Sequence, residues 1–274
     1  MKGTILEKIL EAKRGWVTAA KVQVDPGALI ESALAIRTKQ RPHRLRAALD
    51  NSNINIIAEF KRASPSKGTI NDAMDPAATA EAYEKGGAAA ISVLTEEDFF
   101  RGSMDDLRAV RSAVDLPVLR KDFIFDSYQI YEAAEAGADA ILLIAAMLGD
   151  GALQELYELA DVKLGLDALI EVHTLEELER VKSLGARIIG VNNRDLKSFN
   201  VSLDVSRDLI RHRPQGSVMV TESGLKTRED LAELMAIGYS GFLIGETLMR
   251  SGNPETDLRE LLSDGDERFG KVSL

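Results

Sequence analysis

The chain alternates between short apolar runs and longer stretches with helical periodicity. The runs are continuously apolar rather than strictly alternating, which is typical of strands buried on both faces of a parallel sheet. Eight such runs are predicted to be strands: residues 54–60, 89–94, 117–120, 138–144, 168–172, 187–191, 217–221 and 240–244. The pattern therefore predicts eight buried strands, with a helix after each one.

Residues that begin and end helices separate these runs. Thr174 with Glu177 has the spacing of a capping box before the stretch that follows the fifth strand. Glycine precedes four predicted strands, where its left-handed conformation suits a helix end: Gly87, Gly137, Gly185 and Gly238. The spacing of these glycines is close to two strand–helix units each, which indicates a faint internal repeat.

Eight strand-then-helix units favour the α/β class and a closed (β/α)8 TIM barrel over an open doubly wound sheet. No Gly-x-Gly-x-x-Gly motif follows the first strand, so a dinucleotide-binding fold lacks its fingerprint. We expect one barrel domain over residues 1–274, with residues 1–50 as an N-terminal helical extension. Two helical patterns lie in this extension, at 5–14 and 26–37, and the first is interrupted at Arg14-Gly15-Trp16. We expect these extra helices to cover the bottom or the flank of the barrel.

Composition excludes several classes of function. The net charge of −10 argues against nucleic-acid binding, which depends on clustered Lys and Arg. The absence of cysteine excludes disulfides, thiol nucleophiles and thiolate metal sites. His43, His173 and His212 lack the spacing of metal ligands, and we interpret His173 and His212 as surface residues. The longest apolar run, 140–148, is far shorter than a membrane span, and no secretory signal is visible, so we expect a cytoplasmic protein.

Polar residues stand at the end of most predicted strands, which is where TIM barrels carry their chemistry. Strand one runs into Glu59 and Lys61, strand three ends near Lys121, and strand five ends at Glu171. An acidic residue at the edge of an apolar run is costly to bury unless it has a partner. A buried ion pair of Glu59 or Glu171 with Lys61 or Lys121, holding the barrel mouth together, is the purely structural alternative to a catalytic role.

The last two strands are each followed by glycine. Gly224 and Gly245 precede helical stretches, and backbone N–H groups at such positions form the phosphate cradle that is common in these barrels. Either glycine alone is weak evidence, because many glycines simply form turns. Together they favour a phosphorylated small-molecule substrate.

Several of these segments, taken together, resemble the indole-3-glycerol phosphate synthase family. The first is Ile57-Ala-Glu-Phe-Lys-Arg-Ala-Ser-Pro-Ser-Lys-Gly68, and the others are 117–124, 138–144, 188–196, 222–224 and 242–246. The similarity runs in order and spacing through nearly the whole chain. Members of this family convert 1-(2-carboxyphenylamino)-1-deoxyribulose 5-phosphate to indole-3-glycerol phosphate, with release of carbon dioxide and water. The reaction belongs to tryptophan biosynthesis, and the family uses no metal or organic cofactor.

The resemblance implies catalytic roles for five residues. Lys121 would be the acid that polarises the sugar-derived C2′ carbonyl, and Glu171 would be the base. Lys61 would anchor the substrate carboxylate or act as a second acid. Glu59 would orient the lysines and keep Lys121 protonated through its opposite charge. Asn192 would hydrogen bond to a substrate hydroxyl or carboxylate.

The resemblance also implies a set of residues that bind the substrate. Arg194 is expected to bind the carboxylate, Ser64 to contribute on the opposite wall, and four residues to form an apolar slot for the anthranilate ring: Phe123, Leu143, Leu196 and Leu243. The phosphate is expected at the ends of strands seven and eight, on Ser223, Gly224, Gly245 and Glu246, and Glu222 beside them is also expected to bind the substrate. Glu246 would donate its backbone N–H, and we expect its carboxylate to turn away.

Two other functions remain as alternatives. Another phosphate-binding barrel, such as phosphoribosylanthranilate isomerase, would share the phosphate cradle but would use a cysteine as base, and this chain has none. A non-catalytic barrel that senses or scaffolds a phosphorylated metabolite would bind without turnover, and the pairing of Lys121 with Glu171 argues against it. We expect a monomer, with a homodimer as the alternative, and no nucleic-acid or membrane partner.

Overall fold

Eight parallel strands close into a barrel in this computed structural model, which describes residues 4–196 and 198–263. Each strand pairs with its neighbours along the chain, and the first pairs with the last through Asn55 and Gly241. The strands, named β1–β8, are Asn55–Phe60, Ala90–Leu94, Val118–Lys121, Ala140–Ile144, Asp167–Val172, Ile188–Asn192, Val218–Glu222 and Gly241–Ile244. The predicted TIM barrel is confirmed, and every predicted strand is present to within two residues at either end.

Helices fill the connections between these strands. In chain order, α1–α12 are Ile5–Gln23, Pro26–Arg37, Arg44–Leu49, Pro76–Gly86, Met104–Ala113, Ser127–Glu135, Asp150–Tyr157, Leu175–Ser183, Asp204–Leu209, Arg228–Ile237, Glu246–Ser251 and Pro254–Leu262. A π-helix, Glu158–Lys163, follows α7, and a 3₁₀ turn, Ile210–His212, follows α9. None of the described helices is long and apolar enough to cross a membrane.

The first helix differs from its prediction in length and in place. α1 continues through Gly15 without a break, because its packed positions Leu6, Ile9, Lys13 and Val17 follow helical spacing. Its N-terminal half lines the cavity at the carboxyl ends of the strands, which we call the mouth of the barrel. The expectation that this helix covers the bottom or the flank is therefore wrong, whereas α2 does pack on the flank, against α6.

A short helix that the pattern did not predict closes the opposite end of the barrel, which we call the floor. Leu45 and Leu49 of α3 are fully buried in the same apolar cluster as the inward-facing strand residues. The backbone N–H of Arg46 donates to Asp167 at the start of β5, with an N–O distance of 2.9 Å. The ring of His43, next to α3, lies 3.3 Å from the same carboxylate, so polar contacts fix this helix to the first residue of a strand.

Alternation along each strand divides the core into two layers. The inner layer fills the barrel and includes Ile57, Leu119 and Leu169, and the outer layer lies between the strands and the helices. At the mouth the inward positions become polar. Glu59, Lys121, Glu171 and other inward side chains therefore meet above a filled apolar interior.

Candidate active site

A cavity of about 910 Å³ opens at the mouth of the barrel. Its walls come from the carboxyl ends of the strands, from the loops that follow them, and from Ile5, Leu6 and Ile9 of α1. It is the right size for a small-molecule ligand, for which cavities of roughly 300–1,000 Å³ are usual. The described part of the chain therefore has a deep pocket where barrel enzymes carry their chemistry.

Lys121 lies at the centre of the polar part of this cavity. Its Nζ is 3.1 Å from Oε2 of Glu171 and 2.9 Å from Oε2 of Glu222. The three side chains come from β3, β5 and β7, where inward positions of nearly equal height converge. Both carboxylates are almost completely buried, so the ammonium and the two acids interact with little screening by water.

A second acid–base pair lies across the cavity. Lys61 donates to Glu59, which is 3% exposed. Gly245 makes room for this acid, because a Cβ at position 245 would overlap Oε1 of Glu59. The two ion pairs named as the structural alternative are both present, but they lie in the wall of an open cavity rather than in a sealed core.

Burial and charge set the protonation of these groups. Burial lowers the pKa of Lys121, but Glu222, Glu171 and Glu59 more than offset it, so this pKa lies above its ordinary value. Burial raises the pKa of Glu171, but Lys121 and His173 outweigh it, and the amide of Asn192 adds a hydrogen bond, so this pKa lies below its ordinary value. The site thus holds a protonated lysine against an ionised carboxylate.

Glu222 differs from the other two acids. Burial, opposed by Lys121 and reinforced by the negative charge of Glu171, raises the pKa of Glu222 to about 7. Its Oε1 atom is buried and makes no hydrogen bond within the described residues. This oxygen lies against Gly190, where a Cβ would overlap it. Glu222 can therefore change protonation near neutral pH, which neither Lys121 nor Glu171 does.

A buried network behind the cavity wall holds Lys121 in place. Arg120 and Asp122, the outward-facing neighbours of Lys121, form an ion pair of 2.9 Å, and Thr95 hydrogen bonds to both. Lys13 of α1 joins this network, with its Nζ 3.0 Å from Oδ1 of Asp122 and 2.6 Å from Glu97. The same ion pairs therefore anchor both β3 and the helix that covers the mouth.

The loops after β7 and β8 form the other end of the cavity. Ser223 and Gly224 have positive φ angles of 68° and 87°, and Ser223 is one of few non-glycine residues in that region. Gly245 precedes α11, which begins at Glu246. The carboxylate of Glu246 pairs with Arg250 at 3.1 Å and with Lys67 at 3.5 Å, so its charge is balanced locally.

Apolar side chains line the remaining wall. Phe123 lines the cavity and contacts Phe100, with ring centroids 6.0 Å apart. The expectation for Leu143 is wrong, because this side chain is buried in the outer layer between barrel and helices. Its neighbours Leu142 and Ile144 face inward instead and line the cavity, as strand alternation requires.

The structure brings together every other predicted site residue around this cavity: Glu59, Lys61, Ser64, Lys121, Phe123, Glu171, Asn192, Arg194, Leu196, Glu222, Ser223, Gly224, Leu243, Gly245 and Glu246. Sequence reasoning missed three cations, Lys67, Lys226 and Arg250, and the three apolar residues of α1. The cations follow β1, β7 and β8 within a few residues, so a search for positive charge after each strand would have found them.

His173 is not the surface residue that the sequence suggested. Its side chain is only 10% exposed and lies between Glu171 and Glu177. The position directly after a strand looks like an ordinary loop in the sequence. The ring of His173 is buried because α8, which begins two residues later, places Glu177 against it.

Comparison with known proteins identifies the family. The sequence model described as indole-3-glycerol phosphate synthase matches residues 6–261. The chain is 47% identical to the indole-3-glycerol phosphate synthase of Carboxydothermus hydrogenoformans, over 94% of this chain and 99% of the relative. It is 45% identical to that of Desulfosudis oleivorans, over 94% and 98%.

Solved structures agree on the fold. A thiamine phosphate pyrophosphorylase from Pyrococcus furiosus, 17% identical, superimposes with a TM-score of 0.57 over 77% of this chain and 94% of that one. At this identity the likeness concerns the barrel alone, whereas the two sequence comparisons extend over almost the whole chain. The chain belongs to the indole-3-glycerol phosphate synthase family.

Proposed function

We propose that this protein closes the indole ring of indole-3-glycerol phosphate from 1-(2-carboxyphenylamino)-1-deoxyribulose 5-phosphate. The observation that carries the proposal is the placement of Lys121 Nζ at 3.1 Å from Glu171 and 2.9 Å from Glu222, in the cavity at the mouth of the barrel. Ring closure with loss of carbon dioxide and water needs a protonated acid and a deprotonated base that are present at the same pH. A protonated lysine beside an ionised glutamate meets that need.

Lys121 supplies the acid in this scheme. As the aromatic carbon attacks the C2′ carbonyl, negative charge develops on the carbonyl oxygen, and a buried ammonium stabilises that charge more than water does. The neighbouring carboxylates keep the lysine protonated before the substrate arrives. Decarboxylation then restores the ring that the attack disrupted.

Glu171 acts as the base that removes the proton lost on aromatisation. Its pKa lies below its ordinary value, so it is ionised and ready to accept that proton at neutral pH. Lys61, paired with Glu59, lies across the cavity. It protonates the departing hydroxyl or binds the substrate carboxylate. Asn192 and Arg194, both at the end of β6, complete that side.

The two ends of the cavity orient the substrate. Ser223, Gly224 and the start of α11 offer backbone N–H groups to the phosphate, and Lys67 and Arg250 add positive charge nearby. The anthranilate ring occupies the apolar wall of Phe123, Leu142 and Ile144 in place of the slot that included Leu143. Because one chain supplies all of these groups, we propose that a monomer is sufficient for activity. We also propose that the protein is cytoplasmic.

The test is turnover, followed as the rise of indole fluorescence with a metal chelator present. Lys121→Met and Glu171→Gln should each lower kcat by about 10²–10⁴-fold, the usual contribution of a general acid or base, while the variants stay folded. Lys163→Gln, at an exposed position outside the cavity, is the matched control and should match the parent.

Turnover of Lys121→Met close to that of the parent would remove Lys121 from the acid role. A parent protein that binds the substrate without forming the indole would instead support a metabolite-binding barrel without catalysis. Size-exclusion chromatography with light scattering under assay conditions tests the monomer, and activity confined to a dimer would contradict it.

A further inference from the structure

One buried group next to the proposed base has no part in the scheme above. His173 follows β5 directly and does not line the cavity, so it does not touch the substrate. Its ring Nε2 lies 3.4 Å from Oε1 of Glu171, and its Nδ1 lies 3.6 Å from Oε2 of Glu177. Both ring nitrogens are buried, and neither makes a hydrogen bond of ordinary geometry within the described residues.

The surroundings of this ring are acidic on both sides. Glu171 faces it from β5 and Glu177 from α8, while Glu222 of β7 adds a more distant negative charge. Lys121 binds the other oxygen of Glu171, Oε2. A neutral imidazole would present one lone pair to a carboxylate, whereas an imidazolium donates at both nitrogens.

The backbone fixes the ring in this position. Thr174 caps α8, and Glu177 in the first turn of that helix accepts the backbone N–H of His173 at 2.6 Å. The residue after the strand is thus held by the same carboxylate that faces its ring. Small movements would turn both contacts of 3.4 and 3.6 Å into hydrogen bonds.

We infer that His173 is a positioning residue that, as an imidazolium, holds the second oxygen of Glu171 and keeps this carboxylate ionised for its role as base. Glu171 then has a cation at each oxygen, Lys121 at Oε2 and His173 at Oε1. Burial lowers the pKa of His173, but Glu177 and Glu171 outweigh it and raise this pKa above its ordinary value, which agrees with a charged ring. The inference rests on the proposed role of Glu171.

The test compares the dependence of kcat on pH in the parent, His173→Gln and His173→Leu. Glutamine keeps an N–H donor without charge, and leucine removes both. Loss of the positive charge raises the pKa of Glu171, so the acid limb of kcat should move up by about one pH unit in both variants. KM should stay within about twofold, because His173 does not contact the substrate. His212→Gln, at an exposed histidine, should leave the profile unchanged.

An acid limb that stays in place in His173→Gln, together with a pKa of His173 that does not change in Glu171→Gln, would overturn the role of the charge. If His173→Leu fails to fold, which thermal melts would show, His173→Gln still decides the question. A measurement without turnover separates this inference from the proposed function. The pKa of His173, followed by NMR in the free protein, should fall by about one unit in Glu171→Gln. No change would overturn the inference alone, whereas a clear fall with an unmoved acid limb would overturn the assignment of Glu171 as base.

Discussion

Ionisation of Glu222 opposes folding. Its pKa is raised from an ordinary value of 4.5 to about 7, first by burial, against the pull of Lys121 and with the added repulsion of Glu171. For a group with a raised pKa in the folded state, the stabilising contribution is fully present below the unfolded value. It is lost as the pH rises through the folded value. Glu222 should therefore make the protein progressively less stable between about pH 4.5 and pH 7.

We expect Glu222→Gln to remove this loss, because the amide stays neutral at every pH. Relative to the parent, the free energy of unfolding of the variant should rise by on the order of 2–3 kcal/mol between pH 5 and pH 8. Urea unfolding at the two pH values measures this difference. Glu229→Gln, an exposed acid in the first turn of α10, is the control. Equal changes in the parent and Glu222→Gln would show that Glu222 does not titrate in this range.

Single residues of the site could be predicted where the sequence itself shows a conflict. Glu59, Lys121 and Glu171 are polar in runs that are otherwise apolar, and such positions need partners at the mouth. Leu143 could not be placed, because all five residues of β4 are apolar and buried. In such a strand the residue types do not reveal which positions face inward, and only the register with the neighbouring strands determines it.

At the scale of elements, α1 shows why the extension was harder to predict than the strands. A lysine occupies one position of its packed stripe, so the apolar periodicity ends early in the sequence although the helix continues. That lysine, Lys13, is 2% exposed and forms ion pairs with Glu97 and Asp122. The contact joins residues more than 80 positions apart, and no local pattern encodes it.

Lys13→Met should loosen the helix over the mouth. The substitution leaves Glu97 and Asp122 without their shared cation, and removal of one partner from a buried ion pair costs about 3–5 kcal/mol. Because Asp122 keeps Arg120 and Thr95, we expect the lower end of that range in the free energy of unfolding, together with a higher KM. Chemical denaturation and steady-state kinetics measure the two effects.

The same helix supplies the control for this prediction. Lys21 pairs with Asp126 at 2.7 Å, but its side chain is 39% exposed, and such surface pairs contribute about 0–1 kcal/mol. Lys21→Met should therefore leave both stability and KM almost unchanged. Equal losses in the two variants would mean that the effect comes from the helix surface rather than from the buried tether.

At the scale of the whole molecule, the closed barrel was predictable because one unit repeats eight times along the chain. The position of the extension was not, since residues before β1 have no strand register to follow. The charge of the cavity differs from that of the whole chain. The net charge of the chain is −10, yet six cationic side chains line the cavity beside five acidic ones, and the cations are Lys61, Lys67, Lys121, Arg194, Lys226 and Arg250.

Three of these cations, Lys67, Lys226 and Arg250, line the cavity with the loops after β7 and β8, and they predict that inorganic phosphate stabilises the free protein. Binding to the folded state alone adds about 2.7 kcal/mol at a phosphate concentration 100 times Kd, which raises Tm by several degrees in a protein of this size. Melting curves at constant ionic strength, with chloride replacing phosphate, measure the increment. Lys67→Gln should reduce it, whereas Lys163→Gln, outside the cavity, should not. The same increment in all three proteins would place the phosphate elsewhere.

Two glycines at the mouth make the substitutions that one strand tolerates depend on a residue of another strand. Gly190 leaves room for Glu222 and Gly245 leaves room for Glu59, and in both cases a single methyl group would occupy the space of a carboxylate oxygen. Neither glycine can therefore acquire a side chain while its acid is present. Once an acid is shortened, its glycine is free to acquire a side chain, and that side chain then blocks the acid's return. Directed evolution that replaces Glu222 or Glu59 would thus become irreversible through a residue that takes no part in the chemistry.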